Sequence, residues 1–274
     1  MRRHHDHNHG DSHSSNQSTK NIWLAFALNF SFAIIELVGG LLTGSLAILA
    51  DAVHDFGDSL SLGLALVLQK VSQKKRTETF SYGYGRFSLL SAFITGVVIL
   101  TGSSLILIKS FPRIFQPATE TPEGLGMLGL AVLGIIVNGT AALRLRRGAT
   151  NNEKVLTWHF MEDLLGWVAV LIGAILILIT DWYWIDPLLA TLVAGFIIFN
   201  VLRHLFSTSK LFLQSIPADF DSIGLKNKIL KFEGVTDVHD IHAWSLDGER
   251  NVVSLHVVMN DHIKPGRDEQ NIKL

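Results

Sequence analysis

The chain contains no cysteine. Disulfide-stapled folds and Cys-ligated zinc fingers are therefore excluded, and a soft thiolate site for Cu(I) is argued against. Charge is also scarce: Asp, Glu, Lys and Arg make up 17% of 274 residues, where soluble domains carry about a quarter. The formal net charge of -1 provides no basic field, so no nucleic-acid partner is expected. Apolar residues are plentiful, at 48% with a mean hydropathy of +0.34, which excludes a disordered chain. Twelve histidines are the other excess, and their positions say more than their number.

The apolar residues gather into six stretches: Ile22–Leu42, Leu46–Leu68, Leu89–Ile108, Leu125–Leu143, Trp158–Ile179 and Trp184–Leu205. Each is about 20 residues, the length a helix needs to cross about 30 Å of hydrocarbon. Backbone groups in lipid must bond within their own segment, so helices are expected. The expected fold is an all-α membrane bundle of six transmembrane helices over residues 21–206, a multi-pass protein whose first partner is the lipid bilayer. A polar tail, residues 1–20, precedes the first span. That tail and the span's length set it apart from a cleaved signal peptide.

Basic residues fall on alternate loops. Arg2, Arg3 and Lys20 lie before the first span, and Lys70, Lys74, Lys75, Arg76 and Arg86 between spans two and three. Arg144, Arg146, Arg147 and Lys154 lie between spans four and five, and Arg203 and Lys210 at the end of span six. The other side holds only Lys109 and Arg113. The positive-inside rule then places both termini in the cytoplasm, with Trp182, Tyr183 and Trp184 in the far interfacial belt.

Beyond residue 207 the pattern changes. Ile223–Phe232 reads as a short amphipathic helix; Val235–Leu246 and Asn251–Met259 read as strands joined at Asp247-Gly248. This is half of a small α+β domain, and the expectation is that residues 207–274 are incomplete at their C-terminal end.

Ionisable residues inside apolar spans are costly and face a cavity or a partner. Span two contains Asp51, His54, Asp55 and Asp58, and span five contains His159, Glu162 and Asp163. Each span thus holds a His followed four residues later by an Asp. Residues four apart lie about 40° apart on one helix face and about 6 Å along the axis, so both can reach one ion. His54, Asp58, His159 and Asp163 together are two imidazoles and two carboxylates, a tetrahedral set for Zn²⁺. The two His disfavour an all-oxygen Mg²⁺ or Ca²⁺ site. The competing reading, polar residues that only pack helices, would be preferred for one such pair; two pairs in apolar spans reverse it.

Asp51, one turn before His54, can orient its ring from a second layer. Asp55 and Glu162 point about 100° away from their neighbouring His and are assigned structural or outer-layer roles. Glu36 in span one is either a proton carrier or a partner to a polar neighbour. Asn29 and Asn138 are expected to hydrogen-bond between helices. In the tail, His4, His5, His7, His9 and His13 form a tract suited to loose metal capture. Strand alternation puts His239 and His242 on opposite faces and lets His239 share a face with His256.

These motifs resemble a known family. GGLLTGSLAILADAVHDFGD at 39–58, FSYGYGR at 80–86, HFMED at 159–163, IDPLLA at 185–190 and GVTDVHDIHAW at 234–244 are similar to the cation diffusion facilitators, in the branch that exports zinc. The resemblance implies a homodimer with six spans per protomer and a ferredoxin-like cytosolic domain. It implies export of Zn²⁺, often with Cd²⁺ or Co²⁺, in exchange for protons. It implies that His54, Asp58, His159 and Asp163 form the transport site, and that His239 and His256 match positions where some members bind cytosolic metal. Two other classes remain beside it: an intramembrane zinc-dependent hydrolase, which needs an open metal position and a base, and a metal-sensing membrane protein that transports nothing. The expected location is a bacterial inner membrane.

Overall fold

A computed structural model describes residues 11–72, 74–116, 121–145 and 151–260, and only the backbone of 11–25, 65, 66, 69, 144, 145 and 151–159. Nine elements follow in order: helices α1 (Asp11–Thr43), α2 (Leu46–Ser72), α3 (Phe87–Arg113), α4 (Gly124–Leu145), α5 (Asn151–Thr180), α6 (Ile185–Phe212) and α7 (Ser222–Ile229), then strands β1 (Val235–Ser245) and β2 (Asn251–Met259). The chain divides into two compact units.

The first unit contains α1, α4 and α5 and most of α2, α3 and α6. Five of its helices are long and apolar enough to cross a membrane, over Phe26–Thr43, Phe87–Arg113, Gly124–Leu143, Phe160–Thr180 and Ile185–Phe212. The remaining helix, α2, is 27 residues long but carries Asp51, His54, Asp55, Asp58 and Lys70. Many large apolar residues on these helices face outward, among them Leu42, Leu105, Ile108, Leu165, Ile179, Phe199 and Phe206. Such a surface suits lipid, where water would penalise it.

The interior combines large apolar side chains such as Ile48, Met127 and Ile177 with many alanines. Ala47, Ala50, Ala131, Ala174, Ala190 and Ala194 let the helices approach, and Trp167 is fully buried among them. A Cβ added at Gly134 would lie 2.2 Å from Cδ2 of Trp167, so α4 presents bare backbone where α5 presents its bulkiest side chain. Phe32 of α1 meets the same indole edge-on, with centroids 5.9 Å apart.

Helix α1 turns into α2 through Thr43, Gly44 and Ser45. Gly44 has φ +67°, a left-handed conformation that glycine adopts without penalty. Ser45 caps α2, its hydroxyl accepting from Ile48 N at 3.2 Å, as N-cap serines do. The next two free N–H groups are bound from another helix. Asp186, at the start of α6, accepts from Leu46 N at 2.8 Å and from Ala47 N at 3.2 Å, and Ser45 Oγ donates to it at 2.5 Å.

The second unit joins residues 70–90 to the chain after 206. The FSYGYGR segment forms a turn in which Gly83, at φ +77°, donates its N–H to Phe80 O at 2.9 Å. Its Tyr82 ring meets Trp244 of β1 edge-on at 6.3 Å. Helix α7 is capped by Asp221, which accepts from Gly224 N at 2.8 Å, and packs on β1. Strands β1 and β2 are antiparallel, with His239 opposite His256. The core here is small: Ile229, Val238, Ala243 and Leu246. The helix and hairpin read from the sequence are present, the helix ending at Ile229.

Candidate metal centre

Helices α2 and α5 carry the ionisable residues of the membrane unit. Ligand atoms of His54, Asp55 and Asp163 all lie within 4.8 Å of one another. Asp55 and Asp163 are buried at 2% and 5% exposure, which separates this group from the acidic patches common on protein surfaces. It is the one cluster of three or more His, Asp or Glu with such spacing among the described residues.

Asp58 stands beside the cluster: its Oδ2 is 3.6 Å from His54 Nε2, one turn along α2. His159 lies on α5 one turn before Asp163, with its side chain outside the described residues. Of the four residues expected from the sequence, the structure thus brings His54 and Asp163 together across two helices, with Asp58 beside His54 on its own helix. Asp51 faces α5 as well, since a Cβ added at Gly166 would lie 4.0 Å from its Oδ1.

Asp55 is the residue that sequence reasoning undervalued. A helical wheel turns it away from His54, yet its carboxylate reaches both His54 and Asp163. A carboxylate between two helices can serve a ligand group from off the main face, and the wheel does not register the neighbouring helix. Glu36 of α1 is fully buried and faces Asp55. The two carboxyl groups are close enough to hydrogen-bond when one of them is protonated. Asn29 braces the same place, its Nδ2 donating to Asp55 O and to Ser59 Oγ, both at 3.1 Å. That bond between α1 and α2 is the kind expected of Asn29. Asn138 differs: it is buried, and its Nδ2 finds no partner.

A donor set of imidazole and carboxylates, without thiolate, suits divalent first-row cations. Glu36 and Asp55, buried carboxyl groups with no lysine or arginine beside them among the described residues, would be costly unless a cation or protons compensated them.

The hairpin holds a second group. His239 and His256 rings lie 5.7 Å apart by centroids. Asp237 Oδ2 is 3.1 Å from His239 Nδ1. Asp240 Oδ1 is 2.8 Å from His242 Nε2, and its Oδ2 is 3.7 Å from His256 Nδ1. Strict alternation does not survive between His239 and His242, because the register shifts there and Asp240 takes φ +54°. The irregularity is what lets one carboxylate reach His242 and His256. Asp237 is held below the usual carboxylate range, first by His239, then by the Val238 N–H and by Lys226. Asp240 is likewise held down, chiefly by His242. The tail histidines His4, His5, His7 and His9 lie outside the described residues, as does the His13 side chain.

A bundle of apolar helices with a buried His–carboxylate cluster between two of them defines a membrane protein that handles metal cations. The comparisons with known proteins agree. Residues 22–213 match the family model for the cation efflux transmembrane domain, and residues 217–269 match the cytoplasmic domain of cation efflux proteins. The chain is 31% identical over 269 residues to the cadmium, cobalt and zinc/H(+)-K(+) antiporter of Bacillus velezensis, covering 97% of this chain and 85% of that one. It is 32% identical over 263 residues to the metal cation efflux system protein CzcD of Cupriavidus metallidurans, covering 95% and 80%. It is 31% identical over 258 residues to the zinc transporter ZitB of Escherichia coli, covering 92% and 82%. The chain belongs to the cation efflux, or cation diffusion facilitator, family. It is a multi-pass membrane transporter of cations and not an enzyme, which removes the hydrolase reading.

Proposed function

We propose that the protein exports Zn²⁺ in exchange for protons, by alternating access at His54, Asp58, His159 and Asp163. The carrying observation is that ligand atoms of His54 and Asp163, from two helices, approach within 4.8 Å in the apolar bundle. Helices α2 and α5 supply one His–Asp pair each. Zn²⁺ needs neutral imidazole and ionised carboxylate, so metal and protons compete for the same atoms. Cytosolic Zn²⁺ displaces protons from the inward-facing site, the helices rock, and protons from the far side release the metal. The zinc-transporting relatives and the antiporter named above support this cargo and counter-ion; Cd²⁺ and Co²⁺ are further cargo by the same names.

In this reading α2 is the sixth span, made tolerable in the bilayer by the polar face that forms the site. Both termini are cytoplasmic and the membrane is a bacterial inner membrane. The protein is a homodimer, and the match to the family's cytoplasmic domain supports a ferredoxin-like unit there. His239 and His256 bind a regulatory cytosolic zinc, and the histidine tract of the tail captures metal near the mouth.

The test is zinc flux in proteoliposomes under an imposed pH gradient. Wild type should accumulate zinc, and Asp58→Ala and Asp163→Ala should each abolish it. His239→Ala should lower the zinc bound per chain while flux persists. Zinc binding without gradient-driven flux by the folded wild type would leave the non-transporting sensor instead.

A further inference from the structure

We infer that Asp55 is an additional oxygen ligand of the transport site, and that it broadens the cargo toward harder cations of higher coordination number, Mn²⁺ in particular. The inference rests on the transport-site reading above and adds to it a determinant of selectivity.

Four ligands, His54, Asp58, His159 and Asp163, satisfy a tetrahedral ion. Asp55 places a third carboxylate within 4.8 Å of both His54 and Asp163. Its residue is 2% exposed, and no lysine or arginine pairs with it among the described residues. The bond from Asn29 goes to the Asp55 backbone carbonyl, not to the carboxylate, so α2 is fixed there without the acid. The neighbour of the carboxylate on α1 is Glu36, fully buried, with which it can hydrogen-bond when one of the two acids is protonated.

The chemistry follows from the donors. Zn²⁺ has no ligand-field preference and is content with four ligands. Mn²⁺ and the other oxygen-preferring divalent ions favour more ligands and more oxygen. A third carboxylate, binding through one or two oxygens, raises the count to five or six without removing either imidazole. Selectivity between a zinc-only and a broader carrier would then be set by one residue inside the His54–Asp58 motif.

Co²⁺ is the probe, because its visible absorption is strong when four-coordinate and weak when five- or six-coordinate. The full-length protein is titrated with Co²⁺, and the spectrum counted is the part that disappears in Asp163→Ala. Wild type should give the weak bands. Asp55→Asn should give bands several-fold stronger, and Mn²⁺ competition against Zn²⁺ should weaken about tenfold, equivalent to about 1.4 kcal/mol. Asp55→Ser replaces the amide variant if that one does not fold. Strong four-coordinate bands already in wild type, or identical spectra and competition in wild type and Asp55→Asn, would overturn the role of Asp55 while leaving the site intact. A Co²⁺ spectrum unchanged by Asp163→Ala would instead overturn the transport site itself, and this inference with it.

Discussion

Ser45 and Asp186, 141 residues apart in sequence, are joined by a 2.5 Å hydrogen bond from hydroxyl to carboxylate. Asp186 also takes the Leu46 and Ala47 amides, and Ser45 takes that of Ile48. The first three N–H groups of α2 are thus all satisfied, two of them by α6. Helix α2 carries His54, Asp55 and Asp58, so the bond fixes the start of the helix that holds the metal ligands.

Removing either partner should destabilise the bundle unequally. Ser45→Ala loses one cap, at a cost of about 1 kcal/mol. Asp186→Ala leaves several buried donors unmet, each worth about 1–3 kcal/mol. The midpoint of thermal unfolding in detergent should fall more for Asp186→Ala, with Asp186→Asn between. Equal midpoints for Asp186→Ala and wild type would show that the clasp does not hold α2.

The notch between α4 and α5 makes a second prediction. Gly134→Ala pushes a methyl into the Trp167 indole, and overpacking of this kind costs about 1–3 kcal/mol. The indole N–H has no partner, so Trp167→Phe sacrifices packing but no hydrogen bond. The double variant should be more stable than the sum of the two single losses, because the smaller ring makes room for the methyl. Strict additivity of the three unfolding free energies would contradict a direct clash.

The hairpin turn has a defined acid response. Partial burial pushes the Asp247 carboxyl up, but the Arg250 amide, the Arg250 side chain and the Glu249 amide outweigh it and hold it below the usual range. A carboxylate whose folded pKa is depressed adds stability that is full above its unfolded pKa, about 3.9, and is lost as pH falls through the lower folded value. Protection of the Glu249 and Arg250 amides against hydrogen exchange should hold steady from neutral pH to about pH 4, then decline. Asp247→Asn should show weaker protection and no such decline.

How much of this was legible in the sequence depends on the link involved. Helix spacing alone puts His54 beside Asp58, because a period of 3.6 is a property of one helix; the same spacing of His159 and Asp163 rests on a side chain outside the described residues. Asp55 was set aside by the same reasoning, since its inclusion depends on Asp163 approaching from α5. The cap from Asp186 was hidden for a related reason: the start of α6 must be known to adjoin the start of α2. Around Asp240 the alternation rule gave His239 and His242 opposite faces, and a local shift in register, with φ +54°, placed a shared carboxylate where the rule expected none.

The short connection at Gly44 also bears on how the chain enters the bilayer. Helix α2 is not apolar enough to count among the membrane-crossing helices, and each central Asp costs about 2.5–3.5 kcal/mol to insert. Helix α1, apolar from Phe26 to Thr43, is tied to α2 by two residues, Gly44 and Ser45, and bonds to it through Asn29. The two are therefore cheapest to insert as a single hairpin, with the hydrophobic arm carrying the polar one. In that order of assembly, the ligands of the metal site are brought into the membrane before α5, the helix that completes it, has been made.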